Sequence, residues 1–394
     1  MVPLLDLTRE NKPLLDEIKA AMEPLLVGSQ FILGKAVDDF EAAASSYFGV
    51  KPEQALAVSS GTDAQLLALM AMNGGLDMPR LSSSSEAAYR DTASTRPPGE
   101  CVTSPFTFFA TAGVIHRAGM RTVFADIDPK TFNIDPVKAA EAVTKNTTAL
   151  MPVHLYGQAC DMDPLLALAK DKNLLLIEDA AQAMGAKHKG RPVATMGDMG
   201  EVSFFPTKNL GAFGDAGMLI VKNEKYVEKA RRIRVHGMKN RYEHLEVGGN
   251  FRIDAIQAAI LQVKLKHLNS WHEMRRANAA RYRELFGKLN LGEKIILPYE
   301  DPNCYHIYNQ FIIRVTNGKR DALKKHLDEK QIGNMIYYPT PLHLQPCFAY
   351  LGYKKGDFPH SEKACEEVLA LPIHSHITQD EIAQVVEAIG VFFK

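Results

Sequence analysis

The run S-F-F-P-T-K-N-L-G-A-F-G-D-A-G, Ser203 to Gly217, sets one lysine, Lys208, in a glycine-rich loop between two short apolar stretches. Burial disfavours the ammonium form, so a lysine beside apolar walls can lose its proton near neutral pH. The free amine can then attack a carbonyl and form a Schiff base, the bond that holds pyridoxal phosphate in its enzymes. Upstream, I-E-D-A-A-Q-A places Asp179 just past the apolar run Leu174 to Ile177. A carboxylate at the C-terminal end of a strand suits the protonated pyridine nitrogen of such a cofactor. Taken singly, each has a blander meaning. A lysine in a glycine loop is commonly a solvated charge, and an aspartate after a strand commonly caps a helix.

Two further stretches extend the set. V-S-S-G-T-D-A, Val58 to Ala64, joins a strand pattern to a helix pattern. Its small residues expose backbone N–H groups at a helix N-terminus, where a phosphate is stabilised, although capping by Ser60 or Thr62 explains the same residues. S-P-F-T-F-F-A-T-A, Ser104 to Ala112, carries three phenylalanines; Phe108 is the natural ring to stack on a flat heteroaromatic group, although ordinary core packing explains any one of them as well. Neither G-x-x-x-x-G-K nor G-x-G-x-x-G occurs, so a P-loop nucleotidase or a dehydrogenase gains no support.

Around these sites runs an alternation that dictates the architecture. Short apolar runs at Leu56–Val58, Cys101–Ser104, Thr122–Ile127, Ala149–Val153, Leu174–Ile177, Val202–Phe205 and Met218–Val221 read as strands. Helical patterns at Asp63–Met72, Pro136–Val143 and Pro164–Lys172 fall between several of them. Such alternation predicts an α/β domain with a mostly parallel sheet. A helical connector follows from Asp254 to Lys288. Beyond it lie a strand at Ile307–Val315, a helix at Arg320–Lys330, a second strand at Asn334–Tyr338 and a last amphipathic helix at Gln379–Phe392. That order suggests a small C-terminal α+β domain, with the division at residues 1–252 and 253–394. Gly74–Gly99 has no apolar periodicity and reads as a mobile surface excursion in preference to a lid.

Composition excludes several classes. The 394 residues carry 46 basic and 46 acidic side chains, a balance unlike that of a general nucleic-acid binder. The five cysteines are scattered without C-x-x-C, as in a reducing, cytoplasmic setting. No stretch approaches the roughly 18 apolar residues of a membrane helix. No cluster of His, Cys and acidic residues calls for a metal, His374 and His376 alone being too few.

With these residues in order, the chain resembles the DegT/DnrJ/EryC1/StrS family of sugar aminotransferases over essentially its whole length apart from Gly74–Gly99. The matching stretches, besides those above, are F-A-D-I-D-P-K-T-F-N-I-D-P, P-V-H-L-Y-G-Q, R-V-H-G, G-N-F-R-I-D-A-I-Q-A-A-I-L and Y-Y-P-T-P-L-H-L-Q-P. The resemblance implies the type I aminotransferase fold, a mixed, mostly parallel seven-stranded sheet plus a small α+β domain, with pyridoxal 5'-phosphate as cofactor. It implies that Lys208 bonds covalently to the cofactor, that Asp179 faces the pyridine nitrogen, and that Gln182 contacts the 3-oxygen. Gly61, Thr62 and Ser203 fall at phosphate contacts and Phe108 at the stacking ring. Asn250 matches a residue that reaches the phosphate of a neighbouring subunit, which implies a homodimer with a shared site. Arg252, Tyr337, Tyr338 and His343 match segments lining the substrate site, and His154 and Tyr156 lie in another matching loop.

The implied reaction moves an amino group from an amino acid, L-glutamate by family habit, to a keto-sugar attached to a nucleotide diphosphate, for amino-sugar and polysaccharide biosynthesis. Amination at C3 is favoured over C4 by the D-I-D-P-K-T-F-N-I-D stretch and by R-V-H-G followed by R-Y-E-H. Relatives that dehydrate sugars carry histidine where this chain has Lys208, so the dehydratase alternative loses ground. A non-catalytic regulatory member of the same fold would be expected to lack Lys208 or Asp179. The basic stretch Lys229 to Arg241 is open to two readings, a solvated helix face or a diphosphate contact.

Overall fold

The computed structural model describes residues 1–72 and 99–394. The expected excursion at 74–99 lies, apart from Gly99, outside them. Seven strands form the central sheet: β1 (Ala55–Val58), β2 (Glu100–Thr103), β3 (Arg121–Phe124), β4 (Thr147–Leu150), β5 (Leu175–Asp179), β6 (Met199–Ser203) and β7 (Gly217–Val221). Their order is β1-β7-β6-β5-β4-β2-β3. β7 runs antiparallel to both its neighbours, while β6, β5, β4, β2 and β3 are mutually parallel. The expected mixed, mostly parallel sheet is therefore present.

Both faces of this sheet are covered, which is why its strands read as short continuous apolar runs. Ala55 and Ala57 of β1 join a core with Val202, Met218 and Ile220 on one face. Leu56 and Val58 join Leu219 and Val221 in a core on the other. Helix Gly61–Met72 fills that second core and buries Leu66, Leu67, Leu69 and Met70, each leucine worth about 2 kcal/mol of apolar burial. The expected connector is two helices, Ala255–Leu265 and Leu268–Gly287, and the first is committed to the core beneath β1 and β7.

A second, antiparallel sheet contains β8 (Ile295–Ile296), β9 (Phe311–Val315) and β10 (Val368–Leu371) in the order β8-β9-β10. Helices Leu268–Gly287, Arg320–Glu329 and Gln379–Phe392 pack around its core, and Val2 from the other end of the chain inserts there, bridged to Ile332. The strand expected at Asn334–Tyr338 is reduced to a single bridge, Met335 with Ala370. Pro339 and Pro341 follow directly, and proline neither donates to a ladder nor lets it continue. The pairing strand for β9 is instead Val368–Leu371. Among the described residues no helix is long and apolar enough to cross a membrane.

Candidate active site

The C-terminal ends of the parallel strands converge on the loops expected to do chemistry. Asp179 is the last residue of β5 and is 3 % exposed. Its Oδ2 accepts from Gln65 Nε2 at 2.7 Å and from Thr111 Oγ1 at 2.8 Å, and its Oδ1 accepts from the Ala181 amide. Three donors from three elements fix the orientation of one carboxyl group.

Lys208 lies in the loop between β6 and β7, whose ends are held together by the antiparallel pair Ser203–Gly217. Its backbone N–H donates to Phe205 C=O, closing a tight turn through Pro206 and Thr207. The side chain makes no hydrogen bond or close ion pair among the described residues. Burial pulls its pKa below the ordinary 10.5, while the nearby Glu201 and Asp179 pull in the opposite direction and lose. The amine is thus desolvated yet within electrostatic reach of two acids.

Helix Gly61–Met72 begins where the expected phosphate loop ends. As its first residues, Gly61 and Thr62 present backbone N–H groups that have no intrahelical acceptor. Ser60 is the cap, its Oγ accepting from the Asp63 amide, so capping falls to Ser60 and leaves Thr62 free of that task. A β-carbon on Gly61 would stand 2.9 Å from the Ser203 β-carbon and 2.9 Å from Glu201 Oε2. One on Gly217 would meet Ser60 and Gly61 backbone at 2.4–2.5 Å. The two glycines let the turn sit directly on the β6–β7 edge, with Ser203 beside it.

Gln182 and Tyr338 meet here too. Gln182 accepts from the Tyr156 amide at 2.8 Å and donates through Nε2 to Tyr338 Oη at 2.8 Å. The Tyr338 ring lies 6.4 Å from Phe108, itself 59 % exposed and lining a cavity of about 350 Å³ with Thr62 and Phe109. The Tyr156 hydroxyl donates to the Tyr337 carbonyl, tying the segment before Pro339 to this edge. Tyr337 lines a smaller cavity with Thr207, the neighbour of Lys208.

Other expected residues fall elsewhere. Asn250 and Arg252 line a separate cavity of about 440 Å³ with Ser59, Asp215 and Gln257. His343 is only 1 % exposed, its imidazole bonded to Glu362 at 3.1 Å and packed on Phe358. The imidazole sits against the apolar cluster of Leu342, Phe348 and Phe358. His154 is likewise bonded to an acid, Glu178, at 3.0 Å while its Nδ1 accepts from the Cys160 amide. In the basic stretch, Arg232 pairs with Glu246, Arg234 with Glu41, and Arg231 with Glu41 and the Glu53 carbonyl. These cations are spent within the fold, and Arg234 is buried.

Two residues of this site escaped the motif reading, Gln65 and Glu201. Each is a polar side chain inside an otherwise apolar element, Gln65 between Ala64 and Leu66, Glu201 within M-G-E-V-S. A buried polar group needs a partner, and that mismatch is the signal that could have found them.

The donor set fits pyridoxal phosphate: a helix N-terminus with a hydroxyl beside it, an exposed ring, an acid at a strand end and an uncommitted amine. Comparison with known proteins agrees. Residues 14–390 match the DegT/DnrJ/EryC1/StrS aminotransferase family. The chain is 44% identical over 393 residues to the pleiotropic regulatory protein of Geobacillus stearothermophilus, covering 100% of this chain and 99% of the other. It is 35% identical over 388 residues to the UDP-N-acetyl-3-dehydro-alpha-D-glucosamine 3-aminotransferase of Acidithiobacillus ferrooxidans, covering 98% and 97%. Among solved structures it is similar to S. venezuelae DesV in complex with a ketimine intermediate, with TM-score 0.90, 32% identity, and 100% and 98% of the two chains covered. With the match running nearly end to end, the chain belongs to the DegT/DnrJ/EryC1/StrS aminotransferase family.

Proposed function

We propose that this transaminase carries an amino group from L-glutamate to C3 of a keto-sugar linked to a nucleotide diphosphate. The family and its pyridoxal 5'-phosphate chemistry fix the reaction type. The C3 choice is supported by the 3-amino sugar in the name of the 35% identical relative and by the stretches noted above. The bound cofactor supplies an electron sink for negative charge on the substrate carbon.

The chain's own residues divide the remaining work. Lys208 would hold the cofactor covalently through its amine, and as a free amine it would move a proton at the substrate carbon, a task that its lowered pKa suits. Asp179 holds a proton on the pyridine nitrogen. Gly61, Thr62 and Ser203 take the phosphate, Phe108 covers the ring, and Gln182 contacts the 3-oxygen while braced by Tyr338. Tyr337 and Tyr338 border the substrate. Arg252 offers its planar fork to a carboxylate or diphosphate, and Asn250 serves the site of a second subunit in a homodimer. The division into residues 1–252 and 253–394 belongs to the same proposal.

The observation that carries this reading is a half-buried amine without a hydrogen-bond partner among the described residues, near a carboxyl group fixed by three donors. Its test is the absorbance band of the lysine–cofactor bond. Lys208→Ala is expected to abolish both the band and 2-oxoglutarate release when glutamate is offered with a panel of keto-sugar nucleotides. A variant retaining band and turnover would sink the reading. The 44% identical regulatory protein motivates a second one, a regulatory role. Wild-type protein that shows the band but turns over no keto-sugar nucleotide would favour it.

A further inference from the structure

Beside Asp179 stands an acid for which the reaction as described assigns no task. Glu201 lies in β6 with 0 % of its surface exposed, directly opposite Asp179 in the register of the parallel β5–β6 pair. Gln65, 2 % exposed, lies against both. Its Nε2 donates to Asp179 Oδ2 at 2.7 Å and to Glu201 Oε1 at 2.9 Å. The remaining oxygens, Glu201 Oε2 and Gln65 Oε1, are buried without a hydrogen-bond partner. Glu201 Oε2 is also the atom that would lie 2.9 Å from a β-carbon on Gly61, so this acid reaches beneath the expected phosphate turn. An apolar side chain would fill the same space without the cost of desolvating a carboxyl group.

The titratable groups facing Glu201 are Asp179 from β5 and Lys208 from the β6–β7 loop. Helix Gly61–Met72 contributes only the neutral amide of Gln65. Two carboxyl groups set side by side in a dry site do not both carry charge. Gln65 gives each of them one amide proton, which leaves the outward oxygen of Glu201 to bear a proton of its own.

We propose that Glu201 is a proton-bearing positioning residue: a neutral carboxylic acid that, with Gln65 between the two side chains, orients Asp179 and leaves the negative charge of the pair on Asp179 alone. This rests on the assignment of Asp179 to the pyridine nitrogen. The electrostatics run the same way. Burial pushes Glu201 well above its ordinary 4.5, Asp179 adds to the rise, and Gln65 and Lys208 only partly oppose it. In the unfolded chain Glu201 ionises near 4.5, whereas in the folded chain it keeps its proton to higher pH. The native state therefore binds the extra proton, and stability falls as pH rises between those two values.

The full chain saturated with pyridoxal phosphate is compared with Glu201→Gln, Glu201→Ala and Gln65→Met. Urea unfolding from pH 5.5 to 8 should show Glu201→Gln gaining on wild type as pH rises, by about tenfold in folding equilibrium per pH unit for as long as folded Glu201 keeps its proton. Glu201→Gln should bind pyridoxal phosphate within about twofold of wild type, because the amide keeps shape and neutrality. Gln65→Met removes the bonds to both acids, and Glu201→Ala removes the acid that holds Gln65 against Asp179; each should bind pyridoxal phosphate about tenfold more weakly and should shift the pH midpoint of the absorbance band. Parallel stabilities of wild type and Glu201→Gln at every pH would mean that Glu201 is ionised and would overturn the proposal. So would unchanged affinity and band midpoint in the other two variants, Gln65→Met answering alone if Glu201→Ala does not fold. Failure of the transaminase reading would show instead as a missing band in wild type, and the unfolding comparison would still stand.

Discussion

At the scale of single residues, Lys208 shows how a fold turns a common side chain into a reagent. The acid pair close by favours its protonated form, yet desolvation outweighs that pull and moves its pKa below 10.5. A base with a lowered pKa is neutral, and so nucleophilic, at a lower pH than its surface counterparts. In cofactor-stripped protein, acylation of Lys208 by a small activated ester should therefore have a pH midpoint below 10.5. Peptide mapping across a pH series reads it, and a midpoint at or above 10.5 would refute it. The same residue was the most legible part of the site, because its loop announces itself through glycine and proline. Glu201 was not, since a glutamate in a five-residue apolar strand carries no signature until Asp179 and Gln65 are seen beside it.

At the scale of elements, the central sheet was readable because strands covered on both faces become short continuous apolar runs bounded by turns. The C-terminal sheet was less so. Val368–Leu371 is four residues long, too short for any period to separate a strand from a helix end, and the more strand-like Asn334–Tyr338 yields to the prolines that follow it. The last helix, Gln379–Phe392, is held by chemistry that sequence reveals only in part. Thr378 and Glu381 form a reciprocal capping box, legible as T-Q-D-E. Nothing local foretells that Arg9, at the opposite end of the chain, bonds Glu381 through two 2.8 Å contacts. The Arg9 pair, first among its causes, holds the Glu381 carboxyl down at about 2. An acid with a depressed pKa gives stability that is present above its ordinary 4.5 and lost as pH falls toward about 2. Glu381→Gln keeps the cap but not the ion pair, and Arg9 is partly solvated, so a loss of about 1 kcal/mol is expected near neutral pH. Denaturant unfolding should show that difference constant above pH 4.5 and vanishing in acid; a difference that persists in acid would mean the charge is irrelevant.

At the scale of the whole molecule, the cavity holding Asn250 and Arg252 is distinct from the one holding Phe108 and Thr62. The Asn250 cavity is also lined by Gly214 and Asp215 of the Lys208 loop, and Asn250 is proposed to serve the site of a second subunit from there. Mixing Lys208→Ala and Asn250→Ala proteins under subunit exchange tests this. Each heterodimer would hold one intact site, so an equal mixture should regain about a quarter of wild-type activity. Two inactive proteins that stay inactive when exchanged would place Asn250 in its own chain's site.

β7 lies against β6 and β1 with reversed direction, so the segment from 204 to 216 leaves and re-enters the sheet at facing residues, Ser203 and Gly217. A lever clamped at both feet cannot drift: the amine at its tip can swing through side-chain torsions while its backbone stays put. Opening the polypeptide there, by circular permutation or by a protease nick, would free one foot, and the reactive nitrogen would lose its aim although every atom of the site remained.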